Sequence, residues 1–462
     1  MKKTIFLMLA ATIVLGTALT SCSIADDPVT NPSGETTDKA RLTIIYYGTI
    51  GQDNDNTAED MWKTAQQMLK EHKDVRMTVC WKYAKPDYFG GQYAKPGDLV
   101  MFELTDTTDL SKIGENYAQN KPDQAMYDEQ LLTDYINFAA KKAPAEKYCL
   151  WLYGHGAGFD ITTDYEKDLR KPGGSQTRGV LYDEWFPVSG NMARSDALNM
   201  YELMRGIYYS EIPHFDLILL YDCLMGNLET LYDLNIMADY MITAEHALPM
   251  NNIPSTEFLM SLGKNKDLET ACREGVNNIP KTWDDTHHII FVDWNGDFKL
   301  IKCDEMTKLL EPASALASRL QELYPTMQAQ LDTAVVHTYQ VINQLEFYDF
   351  ADYAHKVAEQ TGDPQLQEIS QKIDEAFDEM ILARREVHGG TYGDLPKFSL
   401  SFILKNQESY EQQTLWGYTF EEGYQYTNWH LLTDWGKWLK MNQQAPKDQK
   451  NKVLGQPVGQ AL

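Results

Sequence analysis

The chain is short of positive charge. It has 41 Lys and Arg against 67 Asp and Glu in 462 residues, a formal net charge of −26. That deficit argues against nucleic acid or an anionic membrane surface as a partner, since both attract basic patches. Cysteine is also scarce, at six residues, which excludes a small disulfide-stapled scaffold. Beyond residue 19 no apolar run is long enough to cross a bilayer. There is no H-E-x-x-H zinc motif, no G-x-S-x-G nucleophile elbow and no P-loop. His287 and His288 are adjacent and would face opposite ways on a strand, so no shared metal is expected there.

The first apolar run, Ile5 to Leu19, follows Lys2 and Lys3 and ends in Thr20-Ser21-Cys22. A positive start, a short apolar core and small residues before a cysteine mark residues 1–22 as a lipoprotein signal peptide, with Cys22 as the lipidation site. Residues 23–40 are rich in Asp, Pro, Ser, Gly and Thr and read as a disordered tether. The expectation is an exported protein held to a membrane by acyl chains, with no spanning helix. Ser23 after the anchor resembles lipoproteins directed to the outer membrane, on its surface or its periplasmic face. Loss of Lys2 and Lys3 takes the charge of −26 to −28. The other five cysteines are Cys80, Cys149, Cys223, Cys272 and Cys303. Five is odd, so at least one thiol stays unpaired. Cys80 and Cys149 sit inside apolar runs and read as small core side chains.

The mature chain of roughly 420 residues predicts two domains. In its first half, strand-like and helix-like segments alternate. Continuous apolar runs at 42–47, 75–81, 99–102, 148–153, 215–221 and 239–243 read as strands, the last closing the series. Segments 57–72, 129–142, 195–209 and 227–237 read as helices. This order predicts a three-layer α/β domain with a mostly parallel sheet over residues 41–260. After 260 long helical segments appear at 302–323, 350–360 and 366–385, with a short strand at 398–404. They predict a C-terminal α+β domain over 261–462.

In open parallel sheets the chemistry gathers at the carboxyl ends of strands. Two strands here end in reactive residues. One runs into Gly154-His155-Gly156-Ala157-Gly158, the other into Asp222-Cys223 ahead of a helix. If the two strands are neighbours, imidazole and thiol meet at one edge. A positioned His can take the thiol proton and later protonate a leaving amine. A helix N-terminus just beyond Cys223 is expected to lower the thiol pKa. The N–H groups of Gly156 and Cys223 are candidate oxyanion donors.

These residues carry a resemblance. A strand ending in His-Gly, a long spacer and a strand ending in Cys resemble the caspase-like clan. The pieces Leu42 to Asn56, Trp151 to Gly158, Leu217 to Asn227 (LILLYDCLMGN) and Ala238 to Asn251 resemble, in order, the clostripain (C11) family of cysteine peptidases, and the likeness covers nearly all of the mature chain. It implies a caspase-like fold and an endopeptidase that uses Cys223 as nucleophile and His155 as base and acid, with no redox or organic cofactor. Its substrates would be peptides or proteins, cut after Arg or Lys. It also implies maturation by cleavage between His and Cys, where Lys167, Arg170, Lys171 and Arg178 lie. Some relatives depend on calcium. The acidic loop Asp53, Asp55, Glu59 and Asp60 is the candidate site, although its spacing is not that of an EF-hand and a solvated loop is the plainer reading.

The chain departs from the family pattern at one point. The family's acid two residues before the cysteine, which holds a basic P1 side chain, is Tyr221 here. Asp222 stands directly before Cys223, where a small residue is usual. A one-position shift along a strand turns a side chain to the other face. The candidate pocket residues are therefore Tyr221, Asp222 and Glu245. Two alternatives stand beside the peptidase. One is an inactive relative that binds peptides. The other is a surface glycan-binding lipoprotein, suggested by the lipobox and the abundant Trp and Tyr.

Overall fold

The apolar runs of the sequence become strands of one sheet. The computed structural model describes residues 39–48, 55–83, 97–119, 124–156, 158, 181, 198–246, 248, 255–279, 295–342, 347–388, 399–404 and 427–442. The strands, in chain order, are β1 (Ala40–Gly48), β2 (Val75–Lys82), β3 (Leu99–Leu104), β4 (Ala118–Gln119), β5 (Ala145–Tyr153), β6 (Phe215–Tyr221), β7 (Ala238–Thr243), β8 (Asn295–Lys302), β9 (Gln340–Ile342), β10 (Phe347–Asp349), β11 (Ile381–His388) and β12 (Ser401–Ile403). Nine of them form a sheet of order β11-β8-β7-β6-β5-β1-β2-β3-β4. The five central strands β7, β6, β5, β1 and β2 are mutually parallel. Antiparallel pairs extend the sheet at both sides.

Alternation along the central strands feeds two cores. Leu150, Leu152, Ile218 and Leu220 face one cluster. Cys149, Trp151, Tyr153, Leu217, Leu219 and Tyr221 face the other. The first is covered by helices that include Glu129–Lys142, Leu228–Leu234 and Leu310–His337. The second is covered by Asp55–Glu71, Ser255–Lys264 and Leu268–Asn278. Strands with two buried faces need apolar residues at every position, which is why they read as unbroken runs. The result is the three-layer α/β arrangement.

The sheet does not stop at β7, and no boundary falls at 260. Ala40–Leu462 is one compact unit, and β8 and β11 from the second half continue the same sheet. The expected helix 366–385 ends at Met380, and Ile381–His388 is an edge strand. No Gly or Pro marks that switch; pairing with β8 overrides the helical propensity of the Ala, Arg and Glu residues there. The expected helix 302–323 starts as a 3-10 turn and runs on to His337. Non-helical dihedrals at Met327 mark a kink two residues after Pro325.

The second half adds a three-stranded sheet, β12-β10-β9. It lies against the edge where His155 and Cys223 emerge. Among the described residues no helix is long and apolar enough to cross a membrane. Cys22, the tether up to residue 38, the acidic loop side chains and Lys167, Arg170, Lys171 and Arg178 lie outside the described residues.

Candidate active site

β5 and β6 are neighbours, and their last residues are in register, Tyr153 beside Tyr221. His155 and Cys223 therefore each lie two residues past one shared rung. The Gly154 N–H donates to Tyr221 O at 3.4 Å and continues the pairing beyond the sheet. Gly156 then presses on the nucleophile segment. A Cβ there would sit 2.5 Å from Cys223 O and 2.8 Å from Asp222 Cβ. Only glycine permits that approach. Two residues on, Gly158 has φ +87° and packs on the Phe347 ring of β10.

Cys223 opens a tight turn. Leu224 takes a left-handed φ of 63°, and Asn227 caps the following helix through the Thr230 N–H at 2.8 Å. The segment after β7 runs beside this turn like a short antiparallel strand. The Leu224 N–H donates to His246 O at 3.1 Å, and the Gly226 N–H donates to Ala244 O at 2.7 Å. The Leu248 N–H donates to Cys223 Sγ at 3.2 Å. From the other side, the Ser401 N–H of β12 donates to Gly226 O at 3.1 Å.

Cys223 is half-buried and packs against both cores. The thiol pKa is not lowered as expected. Burial pushes it up to about 11, against the pull of the Leu248, Gly156 and Cys223 N–H groups. The helix after it begins only at Leu228, with its cap satisfied by Asn227, so its N-terminus has little to offer the sulfur. Asp222 is fully buried, and burial holds its carboxyl well above the usual carboxylate range. Beside it, the Leu181 N–H donates to His155 O at 2.9 Å.

The three candidate pocket residues are all enclosed. Tyr221 lies in an aromatic row beneath the strand ends, with Tyr153 at 5.5 Å and Phe298 at 5.8 Å between ring centroids. Each such pair adds roughly 0.5–1.5 kcal/mol beyond burial. Glu245 is not a pocket acid. It is 0% exposed, and its Oε2 lies 3.3 Å from the Lys299 ammonium.

Glu245 belongs to a buried network that sequence reasoning missed. The Glu245 and His246 N–H groups both donate to Asp297 Oδ1 at 3.1 Å. His246 Nδ1 lies 2.6 Å from the same oxygen, and His246 Nε2 lies 2.9 Å from Tyr339 Oη. Lys299 also pairs with Asp297. Burial alone would raise the Asp297 pKa, but Lys299 and His246 hold it well below the ordinary carboxylate range. Glu245, His246 and Asp297 offer ligand atoms within 4.8 Å of one another. The Lys299 ammonium already contacts both carboxylates, so a metal ion would have to displace it. The available signal was the charged pair Asp297 and Lys299, two apart in a strand of an apolar sheet.

Residues 97–450 match the family model described as "Clostripain family". The chain belongs to the clostripain family. Membership makes it a cysteine peptidase by descent, with peptides or proteins as its substrate class. A secreted C11 cysteine protease from Bacteroides thetaiotaomicron, solved with an irreversible peptide inhibitor, superposes with a TM-score of 0.56 at 15% identity and covers 86% of this chain and 99% of its own. A second structure from that organism, a secreted C11 protease called iotapain, gives 0.58 at 14% identity, with coverage of 86% and 99%. An inactive zymogen C11 protease from Parabacteroides distasonis gives 0.55 at 16% identity, with coverage of 86% and 98%. At these identities the likeness is one of fold. No curated protein matches the chain in sequence.

Proposed function

We propose that this clostripain-family chain is an exported, lipid-anchored endopeptidase that cleaves peptide bonds through a Cys223 thioester, with His155 as base and then acid. One observation carries the reading. At the in-register ends of β5 and β6, Gly156 lies directly against the Cys223 backbone, and the Leu248 N–H donates to the Cys223 sulfur at 3.2 Å. A carbonyl attacked by that sulfur would develop its negative charge beside the Gly156 and Cys223 N–H groups, the candidate oxyanion donors.

The thiol, raised to about 11 by burial, is protonated at neutral pH, so proton removal must accompany attack. His155 takes the Sγ proton as the S–C bond forms. It returns the proton to the nitrogen as the C–N bond breaks and the amine leaves. Water, deprotonated by His155, then cleaves the thioester and restores the thiol. No redox or organic cofactor enters these steps. Calcium and cleavage at Lys167, Arg170, Lys171 or Arg178 are proposed as modulators, on family resemblance alone. Cys22 supplies the anchor, in the outer membrane.

Cleavage after Arg or Lys needs an acid in the P1 pocket. Tyr221 supplies none, and Asp222 and Glu245 are buried. The test is an assay of soluble protein starting at residue 23 on fluorogenic peptides of every P1 residue, with and without calcium, beside Cys223→Ala. Cleavage lost in the mutant supports the peptidase, and the P1 profile identifies the pocket. No cleavage and no labelling of Cys223 by an acyloxymethyl ketone would favour a peptide-binding relative, with Asp222 crowding the nucleophile.

A further inference from the structure

The segment Ala244 to Leu248 does two jobs at once. One side holds the nucleophile turn: His246 O and Ala244 O accept the Leu224 and Gly226 N–H groups, and the Leu248 N–H reaches the Cys223 sulfur. The other side donates its Glu245 and His246 N–H groups to a single carboxylate, Asp297. Asp297 is 1% exposed and held from three directions, by Lys299, by His246 Nδ1 and by these two amides. Tyr339 Oη closes the far side on His246 Nε2 at 2.9 Å, and the Tyr339 N–H is itself fixed on Asp352 at 2.6 Å.

We infer that Asp297 is a positioning residue for the nucleophile: by gripping the amides of Glu245 and His246 it sets the strip of backbone that shapes the Leu224 turn and aims the Leu248 N–H at Cys223 Sγ. It touches neither sulfur nor substrate. The lever is geometric. The chain bends at Glu245 and His246, which turns two successive N–H groups onto one carboxylate oxygen while the Ala244 and His246 carbonyls face the nucleophile turn. A buried carboxylate with fixed donors defines position more sharply than packing alone. Lys299 keeps the carboxylate ionised, and so acceptor-only, inside the protein.

The role of Cys223 as nucleophile rests on the peptidase reading; the placement of its sulfur does not. The experiment separates the two. Asp297→Ala/Lys299→Met removes the acceptor without stranding the ammonium. Asp297→Asn/Lys299→Met removes the same charges but keeps an acceptor oxygen. Both are made in the chain from residue 23. Cys223 alkylation by iodoacetamide at pH 8 is followed by peptide mass spectrometry, with kcat and KM measured in parallel. The alanine pair is expected to alkylate at least three-fold more slowly, since its sulfur has lost the Leu248 donor and with it thiolate character. Its kcat should fall ten-fold or more with KM little changed, while the asparagine pair stays near wild type. Equal or faster alkylation in the alanine pair overturns the inference, whether or not the wild type cleaves peptides. If the alanine pair does not fold, Tyr339→Phe decides instead. It frees His246 from its outer partner, and unchanged alkylation there would refute the lever.

Discussion

Gly156 is where the two strand ends touch, and it tests the active-site geometry directly. In Gly156→Ala the new Cβ would lie 2.5 Å from Cys223 O and 3.1 Å from Cys223 N. Ordinary contact begins near 3.4 Å, so the backbone of one strand end must retreat by about 0.9 Å. Neither atom is the tip of a flexible side chain. Overpacking of this kind costs about 1–3 kcal/mol, which for a chain of this length is a Tm loss of a few degrees. Displacement of a reacting group by about 1 Å costs on the order of 100-fold in rate. The expected outcome is a folded protein with kcat down roughly 100-fold, read by calorimetry beside the peptide assay. Gly296→Ala is the control, since no atom lies within 4 Å of its added Cβ. Wild-type kcat in Gly156→Ala would show that His155 and Cys223 do not approach as the register of β5 and β6 requires.

Two further outcomes follow from buried groups. Burial, with Glu229 nearby, pushes the Asp233 carboxyl up to about 8. A folded value above the unfolded one means its stabilising contribution is complete at low pH. That contribution is lost as pH rises toward 8, at roughly 1.4 kcal/mol per pH unit. Asp233→Asn keeps the acceptor for the Asn428 N–H but cannot ionise. Its Tm advantage should be absent at pH 4, grow up to pH 8 and then level off; a constant difference refutes it. Tyr221→Asp would put an acid where the family resemblance expects one. Because Tyr221 is stacked between Tyr153 and Phe298, the exchange should cost about 3–5 kcal/mol or more and bring no preference for basic P1 residues, as Tm and the P1 profile will show.

The parts of the fold that the sequence made legible are those that bury two faces. Strands such as Phe215–Tyr221 are apolar at every position, and the spacing of His155 and Cys223 from their ends was readable from the same runs. Strand adjacency was not, because neighbours in the sheet are fixed by tertiary pairing. Ile381–His388 hid behind helix-forming residues and becomes a strand only because β8 presents an edge. The expected lowering of the Cys223 pKa fails for a related reason: a helix start is visible in sequence, whereas the burial that outweighs it comes from two cores that both pack on this residue. Asp297 escaped notice because its partners come from a segment some fifty positions earlier in the chain.

The bond from the Ser401 N–H to Gly226 O also bears on the order of events as the chain is made. Elongation at about 5–20 residues per second leaves an interval of roughly 10–35 seconds in which the cysteine turn exists but its β12 brace has not been synthesised. A ribosome-bound or prematurely ended chain that stops short of Ser401 therefore carries an unbraced thiol, and the finished site is available only to molecules translated past that residue.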